Sequence, residues 1–233
     1  MFPGRFWLGL GSGQRLNEDI TGLPWPEKVE RNARLSECAS IVAALLRGET
    51  VSHSGRVTVV NARLYSLPKA PPLLLGAAVT EATAEPVGRW ADGLLTVNAK
   101  PKRVRKIVEA FRRGGGEGKP LLMQVGLNWA GTEQQAIQGA FEQWRYNVLG
   151  GEVNWELRSP RDFETATRFV RMENMRESVL ISADPGRHAS WLQNTSSLAS
   201  RNSCCTKSVS TSESFVDVFG SKVLPQLRGA AGK

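Results

Sequence analysis

A glycine-rich loop near the start of the chain offers the clearest opportunity for ligand chemistry. Gly9-Leu-Gly-Ser-Gly-Gln ends the short apolar run that begins at Arg5, and this order predicts a buried parallel strand that opens into a tight loop. Glycines let a ligand approach the backbone closely. The loop does not match the Gly-x-Gly-x-x-Gly dinucleotide fingerprint, because the third glycine would fall at Gln14 or Leu16. A tight turn without a ligand is the alternative explanation.

Polar groups of this region could contact a cofactor or a substrate. The Asn17 carboxamide offers both a hydrogen-bond donor and an acceptor to a flavin ring edge or a substrate carbonyl. If the loop borders a ligand, Gly11 and Ser12 would contact it as well. The acidic pair Glu18 and Asp19 is typical of a solvated surface.

A second candidate site lies at a predicted strand-to-helix junction, where small residues precede a helix. The positive end of a helix and its backbone N–H groups favour a phosphate, although many such junctions bind nothing. The candidate phosphate contacts are Ala77, Ala78, Val79 and Thr80.

The two histidines and three cysteines do not indicate a catalytic or metal site. His53 falls in a predicted hairpin and His188 in a predicted helix, so we expect structural or exposed roles for both. Cys204 and Cys205 are adjacent, which excludes a disulfide framework and the usual spacing of zinc ligands. No metal is expected, and a reducing compartment is the simplest fit.

The net charge of +8 raises a nucleic-acid interpretation, and the densest basic stretch runs from Lys100 to Arg113. Its apolar residues recur at helical spacing, which predicts one buried stripe on a helix whose basic face is solvated. The stripe consists of Val104, Ile107, Val108 and Phe111. No apolar run is long enough to span a membrane, and the start lacks the order of a secretory signal, so we expect a cytoplasmic protein.

Strand and helix patterns alternate along the chain. Gly48 is a predicted helix C-cap and Thr80 a predicted N-cap. The alternation predicts right-handed βαβ units and a parallel sheet, with a barrel and a doubly wound sheet both open. Strands are expected near residues 5–10, 71–76, 92–98 and 121–127, a hairpin at 50–61, and helices at 27–46, from 80, 100–113, 132–149 and from 184.

A polar stretch interrupts this pattern from Asn194 to Thr211. A Ser/Thr-rich linker is the plain interpretation. The alternative comes from the genetic code, because shifting the degenerate codons back by one base yields a helix end, a glycine turn and a buried strand. We hypothesise that two compensating single-base shifts bracket the segment. A stop codon or a polar run in the shifted frame of the gene would contradict this hypothesis.

Several separated motifs, in order, resemble the bacterial-luciferase-like superfamily of flavin and deazaflavin oxidoreductases. The resemblance covers Met1 to Gln193 and resumes from about Ser214 to Leu227. Its motifs are Phe2 to Gly13, Leu16-Asn-Glu, Thr21-Gly, Trp25-Pro, Gly48 to His53, Ala62 to Tyr65, Pro71 to Thr80 and Gly88 to Gly93.

The resemblance implies an α/β fold, a luciferase-like (β/α)₈ TIM barrel that is incomplete in this chain. Four strands, near Phe6, Leu73, Leu94 and Leu122, would be the fourth to seventh, and the eighth would lie in the frameshifted stretch. Three strands and the substrate-activating histidine would lie upstream of Met1, so no catalytic residue is assigned. We expect one partial barrel domain over 1–233, with 194–211 as an anomalous segment within it.

The resemblance also implies a flavin-dependent oxidoreductase or monooxygenase acting on a small organic substrate, and an incomplete barrel could be inactive. The resemblance implies that deazaflavin-dependent sugar-phosphate dehydrogenases have a carboxylate for acid–base chemistry at the position of Gln14. An amide cannot act as that acid. FMN is therefore the expected cofactor, with the deazaflavin coenzyme F420 as the alternative. Gly11, Ser12 and Asn17 would line the ring, and residues 77–80 would approach the phosphate-bearing tail.

Partners follow from the same resemblance. We expect a small-molecule substrate, a flavin reductase or a reduced nicotinamide donor, and a homodimer, with no nucleic acid and no membrane. The alternative of another class is a non-catalytic barrel fragment that needs a partner to complete its sheet.

Overall fold

The computed structural model describes residues 5–196, 202–207 and 212–230. Its strands are β1 (Trp7–Leu10), β2 (Val51–Ser54), β3 (Thr58–Ala62), β4 (Leu73–Ala77), β5 (Gly93–Val97), β6 (Leu121–Asn128), β7 (Leu180–Ile181) and β8 (Asn202–Lys207). Its α-helices are α1 (Arg15–Glu18), α2 (Lys28–Leu46), α3 (Glu81–Trp90), α4 (Pro101–Phe111), α5 (Glu133–Trp144), α6 (Gly151–Glu156), α7 (Pro160–Ala166), α8 (Pro185–Ser196), α9 (Ser212–Val218) and α10 (Leu224–Ala230). Short 3₁₀ or π turns cover Asp19–Thr21, Arg112–Gly116, Arg145–Leu149, Met172–Glu177 and Phe219–Val223.

These elements fall into two compact units. The first comprises Met1–Gly13 and Trp25–Leu122, and the second comprises Gln14–Pro24 and Met123–Lys233. The expectation of a single domain over 1–233 stays a prediction.

Three parallel strands form the sheet of the first unit, in the order β1-β4-β5. Leu10 is paired with Gly76, and Gly76 is paired with Leu94. Leu75 and Leu94 are fully buried, as expected of apolar runs in a sheet with both faces covered. The predicted hairpin is present as the antiparallel pair β2 and β3.

Helix α4 forms because its apolar residues recur on one face and Pro101 occupies its first turn, where a missing N–H is tolerated. The predicted stripe of α4 is buried, and its basic residues outside the stripe are exposed. The caps expected from the sequence are also present. Thr80 occupies the N-cap position of α3, although its side chain makes no capping hydrogen bond to the backbone, and Gly48 follows α2 with a positive φ of 86°.

The second unit contains β6 from Met123 onward, and β6 is parallel to β7. Helix α5 begins after Thr132, whose side chain accepts a hydrogen bond from the Gln135 backbone N–H. Its buried alanines, Ala136 and Ala140, pack in a cluster with Val170, Met175, Val179 and Ile181. Strand β7 has only two residues, and the sequence analysis did not predict it because so short a strand has no periodicity.

The anomalous stretch is partly described. Asn194–Ser196 end helix α8, and Asn202–Lys207 form β8, which pairs with β6. Residues 197–201 and 208–211 lie outside the described residues, as do Met1 and the first residues of the family motif. A strand therefore follows α8 where the shifted frame predicts one, and the hypothesis of two base shifts stays a prediction.

The contact between α3 and α4 requires a glycine at position 88. A Cβ atom at Gly88 would lie 2.3 Å from the Phe111 carbonyl oxygen and 2.9 Å from the Gly114 carbonyl carbon. Because both neighbours are backbone atoms, neither a rotamer change nor a small shift would relieve the clash.

We predict that Gly88→Ala lowers the free energy of unfolding by about 1–3 kcal/mol through overpacking. Gly220→Ala is the control, because Gly220 is exposed and no atom lies within 4 Å of a Cβ built there. It should leave stability unchanged or raise it by up to about 1 kcal/mol. Urea denaturation measures both variants. Equal stabilities would contradict the close approach of α3 to α4.

Candidate functional site

The carboxyl ends of β1 and β4 meet at one edge of the first unit. Because Leu10 is paired with Gly76, the next residues, Gly11 and Ala77, are neighbours. A Cβ atom built on Gly11 would lie 3.6 Å from the Ala77 Cβ atom, an ordinary contact, and Gly11 is exposed. Gly11 and Ala77 are both small, so a flat ring could approach the backbone here, and the carboxyl ends of parallel strands are where barrel enzymes bind ligands.

Ser12 continues this edge and contacts a cation that the sequence analysis missed. The Lys28 Nζ atom, in the first turn of α2, donates a hydrogen bond to Ser12 Oγ over 2.6 Å. Burial lowers the pKa of Lys28, and nearby Arg31 lowers it further. One signal was available in the sequence, because a lysine is unfavourable at the positive end of a helix.

The candidate phosphate contacts follow β4 directly. The Ala78 backbone N–H donates to the Leu95 carbonyl over 3.0 Å, which fixes the junction to β5. Thr80 is the N-cap residue of α3. The first N–H groups of this helix form the positive end of its dipole. Arg103 of α4 donates from Nη2 to the Val79 carbonyl over 3.3 Å, so the basic helix places one guanidinium beside this junction.

Six of the seven predicted ligand contacts therefore lie at adjacent strand ends of the first unit: Gly11, Ser12, Ala77, Ala78, Val79 and Thr80. Asn17 belongs to α1 of the second unit, where its backbone N–H donates to the Gln14 carbonyl over 3.0 Å. Its side chain is exposed. The contact of Asn17 with a ring stays a prediction.

The histidines have the structural roles expected of them. His53 Nε2 lies 3.0 Å from Glu37 Oε2, which ties the hairpin to α2. The Arg56 and His53 hydrogen bonds lower the pKa of Glu37 to about 2. His188 is fully buried, and its Nε2 atom lies 3.0 Å from the Ser182 carbonyl oxygen. Burial lowers the pKa of His188.

A carboxylate holds the loop that follows β7 in the second unit. Glu133 accepts hydrogen bonds from the Ala183 backbone N–H at 2.7 Å, the Ser182 hydroxyl at 2.8 Å and the Arg176 guanidinium at 2.9 Å. Led by the Ala183 N–H, these donors lower the pKa of Glu133 to about 2. Trp129 Nε1 donates to the Ala183 carbonyl over 2.9 Å and fixes the same loop.

The described part of the chain contains neither a cluster of metal ligands nor a helix that could span a membrane. No group of three His, Cys, Asp or Glu side chains among the described residues could hold a metal ion. None of the helices built from those residues is long and apolar enough to cross a membrane.

Comparison with known proteins assigns the chain to a family of oxidoreductases. A family model described as luciferase-like monooxygenase matches residues 1–201. The chain belongs to the luciferase-like monooxygenase family.

Individual relatives define the similarity further. The chain is 29% identical to the F420-dependent glucose-6-phosphate dehydrogenase of Nakamurella multipartita, with 100% of this chain and 71% of the relative covered. A solved F420-dependent secondary alcohol dehydrogenase, in complex with an F420–acetone adduct, matches with a TM-score of 0.85 at 20% identity, over 97% of this chain and 71% of that chain. A riboflavin lyase with modified FMN matches at 0.66 and 14% identity, over 94% of this chain and 62% of that chain.

These comparisons confirm the expected fold class, an α/β fold of the luciferase-like barrel type with parallel strands, and the expected oxidoreductase class. They favour the deazaflavin alternative over the preference for FMN, which has support only from more distant structures. That preference depended on Gln14. The resemblance implies an acid–base role for a carboxylate at that position, and the loss of one carboxylate does not exclude the deazaflavin.

We predict that Glu133→Gln removes a pH-dependent part of the stability. Because the pKa of Glu133 in the folded protein is about 2, below its ordinary value of 4.5, its contribution is present above pH 4.5 and is lost as the pH falls towards 2. The stability advantage of the wild type over Glu133→Gln should shrink over that range in urea denaturation. Glu164→Gln, at an exposed position of the same unit, controls for the loss of one charge. A difference in stability between the wild type and Glu133→Gln that does not change with pH would contradict the lowered pKa of Glu133.

Proposed function

We propose that the protein is an F420-dependent oxidoreductase that interconverts an alcohol and a carbonyl compound. The observation that supports this most directly is the agreement of two separate matches over nearly the whole chain: an F420-dependent glucose-6-phosphate dehydrogenase and an F420-dependent secondary alcohol dehydrogenase. Both names describe oxidation at a carbon that bears a hydroxyl group.

The residues of the first unit fit such a coenzyme. Gly11 and Ala77 leave room for a planar ring at the ends of β1 and β4. The junction that follows Ala78 offers the positive end of α3 to a phosphate, and Arg103 adds a positive charge beside it. When bound, the deazaflavin supplies a hydride acceptor, and this chain's residues orient it.

The identity of residue 14 bears on the substrate. The resemblance to deazaflavin-dependent sugar-phosphate dehydrogenases implies a catalytic carboxylate at that position in those enzymes, and Gln14 cannot donate or accept a proton in its place. A secondary alcohol and its ketone are therefore the substrate pair that we propose, rather than a hexose phosphate. A coenzyme held beside Gly11 and Ala77 would supply the acceptor for the hydride of the carbinol carbon, and the hydroxyl proton would pass to solvent.

An FMN-dependent monooxygenase is the second candidate, favoured by the match to the riboflavin lyase that holds a modified FMN. It requires a flavin reductase or a reduced nicotinamide donor, whereas the alcohol oxidation proposed above requires neither. These partners and the homodimer stay predictions. Oxygen dependence separates the two candidates, because only a monooxygenase consumes oxygen with substrate.

We predict that the full chain binds F420 in equilibrium dialysis and that Gly11→Leu raises the dissociation constant at least about tenfold, equivalent to about 1.4 kcal/mol. The new side chain would occupy the opening beside Ala77. Because Gly11 is exposed, the melting temperature should change little.

Gly220→Leu is the matched control, since it enlarges another exposed glycine in the second unit. It should leave F420 affinity unchanged. A chain that is folded but binds FMN and not F420 would contradict the proposed coenzyme. An unchanged affinity in Gly11→Leu would contradict the proposed position of the ring.

A further inference from the structure

Two cations stand at the positive end of α2. Lys28 is the first residue of that helix and Arg31 belongs to the same turn. The helix dipole disfavours positive charge at this end, and the Lys28 ammonium is also half-buried. Sequences break such local rules mostly where function requires it.

Arg31 contacts residues just before its own helix, whereas Lys28 contacts a residue much earlier in the chain. The Arg31 guanidinium stacks on Trp25, 3.9 Å from the ring centroid, and its Nε donates to the Pro26 carbonyl over 3.0 Å. Lys28 instead reaches out of its helix to Ser12, sixteen residues earlier in the chain. This contact brings a positive charge to the edge where β1 ends.

The direction of the hydrogen bond determines what Ser12 can do. An ammonium group is only a donor, so Ser12 Oγ accepts from Lys28 and its own proton is directed elsewhere. A hydroxyl polarised by a charged donor gives a stronger hydrogen bond to the next acceptor. Ser12 follows exposed Gly11, which is a neighbour of Ala77.

We propose that Lys28 positions Ser12 as an obligate hydrogen-bond donor to an acceptor oxygen of the ligand at the carboxyl end of β1. The inference rests on the proposed function and adds the residue that orients the ligand. Two sources offer this chemistry, a carbonyl oxygen of the deazaflavin ring and the oxygen of the bound substrate. Lys28 is a positioning residue, since it acts through Ser12.

The test measures the two sources separately in the full chain. The dissociation constant of F420 without substrate reports on the coenzyme oxygen, and KM for a secondary alcohol at saturating F420 reports on the substrate oxygen. The variants are Lys28→Met, Lys28→Arg, Ser12→Ala and the double variant Ser12→Ala/Lys28→Met. Lys69→Met, at an exposed lysine of the same unit, is the control.

Lys28→Met keeps the length of the side chain and removes its charge. Burial and Arg31 lower the pKa of Lys28, and methionine fills the same half-buried space without a charge, so we expect Lys28→Met to fold. Urea denaturation checks this before binding is measured. Lys28→Arg restores a donor and should recover most of the lost affinity.

The expected result is a rise of about tenfold in one of the two constants for both Lys28→Met and Ser12→Ala. The double variant should lose no more than either single variant, because the two residues act as one unit. Lys69→Met should match the wild type.

Three results would overturn the inference. Constants within twofold of the wild type in folded Lys28→Met would show that the ammonium does not support a ligand contact. Additive losses in the double variant would show that Lys28 does not act through Ser12. A wild-type chain that binds no F420 overturns the proposed function itself, and the inference falls with it, which distinguishes that failure from the first two.

Discussion

The parallel pairing of β1 with β4 is the constraint on which the candidate site depends. These strands are far apart in sequence, and their register places Gly11 beside Ala77. Parallel strands need a long crossover, and here it contains α2. The first residue of α2, Lys28, lies within hydrogen-bond distance of Ser12. The proposed contacts with the coenzyme ring and with its phosphate, and the contact that involves Lys28, all lie along this edge.

The close packing of α3 against α4 supports the strand ends that form the candidate site. The backbone at Gly88 in α3 contacts the end of α4 too closely to admit a side chain. The junction that starts α3 is also fixed at both ends, by the Ala78 hydrogen bond to Leu95 and by Arg103 on the Val79 carbonyl. The backbone of this junction is therefore held in place, so binding of a phosphate there would require little reorganisation.

Sequence reasoning predicted the elements with clear periodicity and missed those without it. The stripe of α4, the cap at Thr80 and the strand ending at Ala77 follow from local patterns. The two-residue strand β7 has no pattern to detect. The Lys28 contact depends on tertiary structure, and only the unusual position of a lysine at a helix start pointed to it.

The coenzyme preference from sequence gave too much weight to one position, since it depended on Gln14 alone, whereas the relatives favour the deazaflavin alternative. The most direct test of the account is an anaerobic incubation of the full chain with F420 and propan-2-ol, in which the visible absorption of the oxidised coenzyme is followed. The account predicts that the absorption falls as acetone appears in equal amount. Retained absorption with secondary alcohols, together with oxygen-dependent turnover supported by reduced FMN, would contradict it.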